Sequence, residues 1–151
     1  MTKITLFFCA GAIYVASGRE LVSELRGIGR RMPLTMGAFT VAALGMAGVP
    51  PAAGFLSKWY LIGGALEAGA WPFVLVLLAS SLLNLAYFVP IIISAFFLPP
   101  PPDDETGEAP AILVIPVLLT AAGSVWLGLA PDTPLQFWSL ASRAAEAIGA
   151  R

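Results

Sequence analysis

The sequence lacks most of the residues that carry metal and redox chemistry. It has no histidine and a single cysteine, Cys9, which lies inside an apolar run. Haem, iron–sulfur and Cys/His zinc sites take their ligands from these residue types, and a disulfide within the chain needs two cysteines. We therefore expect no cofactor and no metal in this chain. If redox energy drives the protein, another chain must carry the electrons.

Charge is also scarce. Charged residues make up 11% of the chain, against about 25% in soluble domains, whereas 58% of the residues are hydrophobic and the mean hydropathy is +0.87. The net charge of −1 and the lack of a Lys/Arg-rich face exclude a nucleic-acid footprint. Lipid is the simplest solvent for such a chain, so we predict an integral protein of the cell (inner) membrane.

Apolar segments predict a bundle of transmembrane helices. A crossing needs about 20 residues, and four segments approach or exceed this length: 4–17, 33–66, 72–98 and 111–130. The segment 99–110 is acidic and rich in proline, and it is predicted to be a solvent-exposed loop. We predict an all-α, polytopic bundle with about four crossings, and a tail that rests in the membrane interface or frays.

The first segment has an alternative interpretation as a signal peptide, because Lys3 precedes an apolar stretch that ends in small residues. The rest of the chain, however, holds three further apolar stretches rather than a soluble domain. A transmembrane helix whose beginning has been trimmed is the better interpretation.

The segment 33–66 is too long for one straight crossing, because an unbroken helix of this length would reach about 50 Å. Its middle holds the residues of a predicted hinge: Gly48, Pro50, Pro51 and Gly54. The prolines lack N–H donors, and the glycines allow backbone that a helix would not. We predict two half-helices, 33–48 and 52–66. Irregular backbone at membrane depth is tolerated only inside protein or beside a wet cavity, so the break points to function.

Arginines set the predicted orientation. The connector 19–31 holds four of them, whereas the connector 67–71 holds no basic residue. The positive-inside rule makes loop 19–31 cytoplasmic. Alternation of the crossings then places the acidic loop inside and the C-terminus outside.

Lys58 is the leading candidate for chemistry. It lies roughly 10 Å from either end of its predicted half-helix. A charge at that depth costs about 2.5 to 3.5 kcal/mol on insertion scales, so it should face the bundle interior or water. Because burial disfavours the ammonium and a nearby carboxylate favours it, such a lysine can act as a proton relay. The alternative is a lysine that snorkels or caps the carbonyls of the broken helix.

Other polar residues have simpler explanations by themselves. Lys3 is typical of a charge at the start of a helix near the interface. Ser80, Ser81 and Asn84 lie within the crossing 72–98, where hydrogen bonding between helices is the usual explanation.

Three segments carry a resemblance to known proteins: residues 3–11 (KITLFFCAG), 27–33 (GIGRRMP) and, above all, 48–59 (GVPPAAGFLSKW). Taken in this order, they resemble the antiporter-like subunits shared by respiratory complex I, related hydrogenases and the multisubunit Mrp-type cation/proton antiporters. The Ser-Lys-Trp version of the last motif and the short tail look most like the D subunit of the Mrp type. The resemblance is clear from residue 3 to about residue 97 and weak beyond the acidic loop.

The resemblance implies two inverted repeats, each with a broken helix, that carry protons along buried lysines and glutamates at mid-membrane. Residues 1–98 would form the end of the second repeat, and 111–151 a final helix with its tail. Lys58 then matches the lysine of the second broken helix. Lys3 matches the lysine of the preceding helix, which is interior in the family, so both become proton-relay candidates. The family's long N-terminal region, and the histidine commonly found just before the Lys3 position, have no counterpart here.

We therefore predict a transporter subunit, not an enzyme, that takes part in proton or cation/proton translocation within a multisubunit antiporter or complex I-like assembly. Its partners would be other membrane subunits, the lipid bilayer and protons, with sodium left open. The alternative is a truncated fragment or a non-transporting structural subunit, in which Lys58 only pairs with a partner's carboxylate.

Overall fold

The computed structural model describes residues 1–101, 107–130 and 143. Those residues form a helical structure with a short 3₁₀ turn at Val22–Glu24. The α-helices are α1 (Thr2–Ser17), α2 (Ile28–Arg31), α3 (Pro33–Ala47), α4 (Ala53–Glu67), α5 (Trp71–Phe97) and α6 (Ala111–Leu129). The predicted all-α fold is confirmed. Apart from Arg143, the tail predicted after residue 130 lies outside the described residues.

Two of these helices, α5 and α6, are long and apolar enough to cross a membrane alone, while α1 and α3 are apolar but shorter. The break predicted within 33–66 is confirmed, because α3 ends at Ala47 and α4 begins at Ala53. Large apolar side chains such as Phe7, Leu83 and Ile112 are exposed on the surface of the bundle. Such a surface suits a lipid solvent, which imposes no penalty on exposed hydrocarbon.

Helix α3 lies at the centre of the bundle and packs against α1, α5 and α6. Met32 and Met36 are fully buried together with Ala12 of α1 and Ala95 of α5. Small residues at these contacts let the helix backbones approach closely, which is the usual basis of helix packing in membranes. The central position of α3 means that its two ends are held by neighbouring elements.

The N-terminal end of α3 is capped by the loop that precedes α6. The Glu108 carboxylate accepts hydrogen bonds from the backbone N–H groups of Leu34, at 2.9 Å, and Thr35, at 3.4 Å, and from the Thr35 hydroxyl, at 2.5 Å. The next residue, Ala109, is buried in the core. The prediction of a solvent-exposed loop over 99–110 is therefore wrong at this end, because unpaired N–H groups at a helix start attract a carboxylate.

Candidate functional site

The break between α3 and α4 leaves backbone carbonyls without their usual partners. Gly48 adopts a left-handed conformation with φ of 87°, and its N–H donates to the carbonyls of Leu44 (3.0 Å) and Gly45 (3.2 Å). The N–H of Val49 donates to the Leu44 carbonyl at 2.9 Å. This is the Schellman pattern, which satisfies part of a helix C-terminus and favours glycine at the left-handed position. It accounts for the carbonyls of Leu44 and Gly45.

The next two carbonyls, those of Met46 and Ala47, are freed by the two prolines. In a continuous helix their partners would be the N–H groups four residues later, at positions 50 and 51. Pro50 and Pro51 have no N–H to offer. The same residues that break the helix therefore also create a pair of unpaired acceptors at its end.

Lys58 of α4 turns back to these acceptors. Its Nζ donates to the carbonyls of Met46, at 3.0 Å, and Ala47, at 3.1 Å, and to the Ser81 hydroxyl of α5, at 2.7 Å. An ammonium has three N–H donors, and the three contacts use all of them. The C-terminal end of a helix carries about half a negative charge, so the Lys58 side chain also compensates the α3 dipole. Within the described residues, no carboxylate joins this group.

Ser81 is the partner of Lys58 that sequence reasoning missed. Its hydroxyl accepts from Lys58 and donates to the Leu77 carbonyl at 3.1 Å, so its lone pairs face the lysine. The general prediction of hydrogen bonding between helices is confirmed for Ser81. Asn84 differs, because its amide donates to the Ser80 carbonyl of the same helix, at 2.9 Å. Two adjacent serines, Ser80 and Ser81, within an apolar helix indicate a polar contact in the sequence. No spacing rule, however, pairs either of them with Lys58.

The hinge residues act in different ways. A Cβ at Gly48 would lie 2.8 Å from Lys58 Cδ, so this glycine provides both the left-handed turn and the room for the lysine stem. The expectation that Gly54 also provides unusual backbone is wrong, because Gly54 lies inside α4. A Cβ added at Gly54 would clash with the Gly45 carbonyl oxygen. Gly54 is required for close packing of α4 on α3, not for flexibility.

Lys3 and Lys58, the only lysines of the chain, line one open cleft of about 480 Å³ beside the break. The other residues that line the cleft come from the start of α1, the end of α3 and the start of α4: Met1, Thr2, Ile4, Gly45, Met46, Gly54 and Ser57. Lys58 is half-buried, whereas Lys3 is exposed. Neither lysine is fully buried by the described residues, which differs from the burial that the resemblance implied. Among the residues that the structure describes, one side of the cleft is left open.

Cys9 lies outside this site. Its thiol is fully buried in the contact between α1 and α3 and lies 3.5 Å from the Thr35 carbonyl oxygen, to which it donates. A buried thiol in apolar surroundings packs like a small hydrophobic side chain. Among the described residues, no group of three or more His, Cys, Asp or Glu side chains is placed to hold a metal ion.

Comparison with known proteins identifies the family. Residues 1–84, more than half of the chain, match the family model described as NADH:quinone oxidoreductase/Mrp antiporter, TM. The chain belongs to this family. The match includes the first half of the bundle, the break and both lysines. The predicted resemblance to antiporter-like subunits is thereby confirmed.

Members of the NADH:quinone oxidoreductase/Mrp antiporter family similar to this chain are much longer. NADH-quinone oxidoreductase subunit N of Desulforudis audaxviator is 45% identical over 142 residues, which cover 85% of this chain and 28% of that protein. A chain of the Mrp complex from Dietzia sp. superposes with a TM-score of 0.76 at 25% identity, covering 87% of this chain and 33% of that one. Respiratory complex I from Thermus thermophilus gives a TM-score of 0.66 at 28% identity, with 87% and 32% covered.

The coverages and the subunit types of these relatives add two facts. The sequence spans about a third or less of the length of these relatives. The Ser-Lys-Trp motif indicated the D subunit of the Mrp type, whereas the curated relative with 45% identity is a subunit N. The structural likeness includes both an Mrp complex and complex I.

Proposed function

We propose that this chain takes part in proton or cation/proton translocation across the cell membrane, with Lys58 as a proton-relay residue at the break between α3 and α4. The observation that carries the proposal is the placement of the Lys58 nitrogen against two carbonyls freed by Pro50 and Pro51. Family membership and the likeness to an Mrp complex and to complex I support it.

The arrangement suits a group that gains and loses a proton. The acceptors around Lys58 favour its ammonium, because every N–H finds an oxygen. A neutral amine has fewer donors and a lone pair, so loss of the proton weakens the attachment to the end of α3. Lys3 lines the same cleft, which makes it the second relay candidate and the cleft the route between the two lysines.

Completion of the path requires other membrane segments. The described residues leave the cleft open, so we propose that further membrane segments, from this protein or from other subunits of a multisubunit assembly, cover it. Charged groups inside a membrane face protein or a water-filled cavity. Energy for transport would come from a redox chain elsewhere in the assembly or from an ion gradient, with sodium as the candidate counter-ion.

A structural role for Lys58 is the second candidate, because the observed contacts are those of a helix-capping lysine. Under this alternative, Lys58 stabilises the broken helix and the assembly but carries no proton. Both roles use the same hydrogen bonds. They differ in whether transport per assembled complex depends on the amine.

The test is Lys58→Ala in the complete assembly, reconstituted into vesicles and assayed for proton flux per complex. A relay role predicts that flux falls about tenfold or more. Ser57→Ala is the matched control, because Ser57 lines the same cleft but bonds to the Ala53 carbonyl of its own helix. Normal flux per complex in the Lys58 variant, with a reduced amount of complex, would establish the structural role instead.

A further inference from the structure

We propose that the end of α3 is a binding site for an alkali-metal cation, and that the Lys58 ammonium is its built-in occupant in this structure. The inference rests on the proposed function in one respect. The proposed function supplies the candidate ion, sodium, that would share the end of α3 with the proton-carrying Lys58. Its geometric basis is independent of transport, so binding is measured separately from flux.

The three acceptors are oxygen atoms of the kind that alkali cations bind. Carbonyl oxygens replace the hydration shell of potassium in channels, and the C-terminal ends of half-helices coordinate sodium in transporters with broken helices. Here the carbonyls of Met46 and Ala47 and the hydroxyl of Ser81 lie 2.7 to 3.1 Å from one nitrogen. They therefore converge on a single positive centre.

No N–H group within the chain competes for the two carbonyls in a helical register, because positions 50 and 51 are proline. The Ser81 hydroxyl is directed in the same way. Its proton is donated to the Leu77 carbonyl, so its lone pairs remain for the cation position. The α3 dipole adds a negative potential at this point.

A cation would approach this position from the open cleft, which Met46 and Lys58 both line. The lysine stem lies over Gly48, which has no side chain of its own to hold the stem in place. One position between three oxygens holds one positive charge. Binding of an alkali cation and binding of the Lys58 ammonium are therefore mutually exclusive.

Because the cation and the Lys58 ammonium exclude each other, replacing Lys58 by a shorter residue should free the three oxygens for a cation. Purified complete assemblies carrying the wild-type residue, Lys58→Ala or Ser57→Ala would be unfolded thermally in sodium, potassium or choline chloride at equal ionic strength. We expect no difference between salts for the wild type and for Ser57→Ala. For Lys58→Ala, sodium or potassium should raise the unfolding midpoint saturably above that in choline, as expected for a ligand that binds the folded state.

Ser81→Ala added to Lys58→Ala should weaken this effect about tenfold in apparent affinity, because one ligand is lost. Equal midpoints for Lys58→Ala in all three salts would overturn the proposal. Lys58→Ser provides a second small variant that supplies an additional oxygen. If neither variant assembles with sodium or potassium present throughout preparation, the cations do not replace the ammonium and the proposal also fails. Cation binding by Lys58→Ala combined with unaltered flux per complex would retain the site and reject the relay.

Discussion

At the scale of single residues, the site depends on Gly48 more than on any other hinge position. Its φ of 87° lies in the left-handed region, which disfavours residues with a Cβ. Its missing side chain also leaves room for the Lys58 stem. A substitution here acts on the backbone and on the lysine together.

We expect Gly48→Ala to destabilise the protein by about 1 to 3 kcal/mol, because it combines left-handed strain with a close contact to Lys58 Cδ. Thermal unfolding in detergent measures the effect. Gly63→Ala is the matched control, since Gly63 lies in α4 with nothing within 4 Å of the added Cβ. An equal response of the two variants would show that Gly48 has no special role. The alanine at position 63 should be neutral or slightly stabilising, because alanine favours helix.

At the scale of helices, the two ends of α3 show what a sequence can and cannot reveal. The C-terminal break was predictable, because proline and glycine act on their own backbone within a few residues. The N-terminal cap was not, because Glu108 lies 73 residues from Thr35, and composition alone made its segment look like an exposed loop. Lys58 was found by its depth, whereas its partner Ser81 depends on how α4 and α5 pack.

Loss of the Glu108 cap should weaken the start of α3. We expect Glu108→Ala to lower the free energy of unfolding by about 1 to 2 kcal/mol, the usual range for loss of a helix N-cap. Thermal unfolding, with hydrogen exchange at Leu34 and Thr35, measures the change. Glu67→Ala is the control, because Glu67 is exposed at the end of α4, where a negative charge opposes the helix dipole. Unchanged exchange at these two amides would contradict the capping role.

At the scale of the whole molecule, orientation is the prediction that neither the packing nor the family likeness tests. The arginines of the connector 19–31 carry the argument, yet Arg30 also donates from Nε to the Phe96 carbonyl at 3.2 Å and so caps the end of α5. A basic residue with a structural partner still follows the positive-inside rule, because the rule counts charge near helix ends. The ends of α1 and α5 should then face the cytoplasm together.

Labelling of introduced cysteines tests this orientation, because the single native cysteine, Cys9, is buried. Ser23 lies exposed in the 19–31 connector, and Ala68 lies exposed between α4 and α5, at the other end of the bundle. We expect a membrane-impermeant maleimide to label Ser23→Cys only in inside-out vesicles and Ala68→Cys only in right-side-out vesicles. The reverse pattern would place the arginine-rich connector outside. The predicted positions of the acidic loop inside and of the C-terminus outside would then be reversed as well, because they follow from the connector by alternation of the crossings.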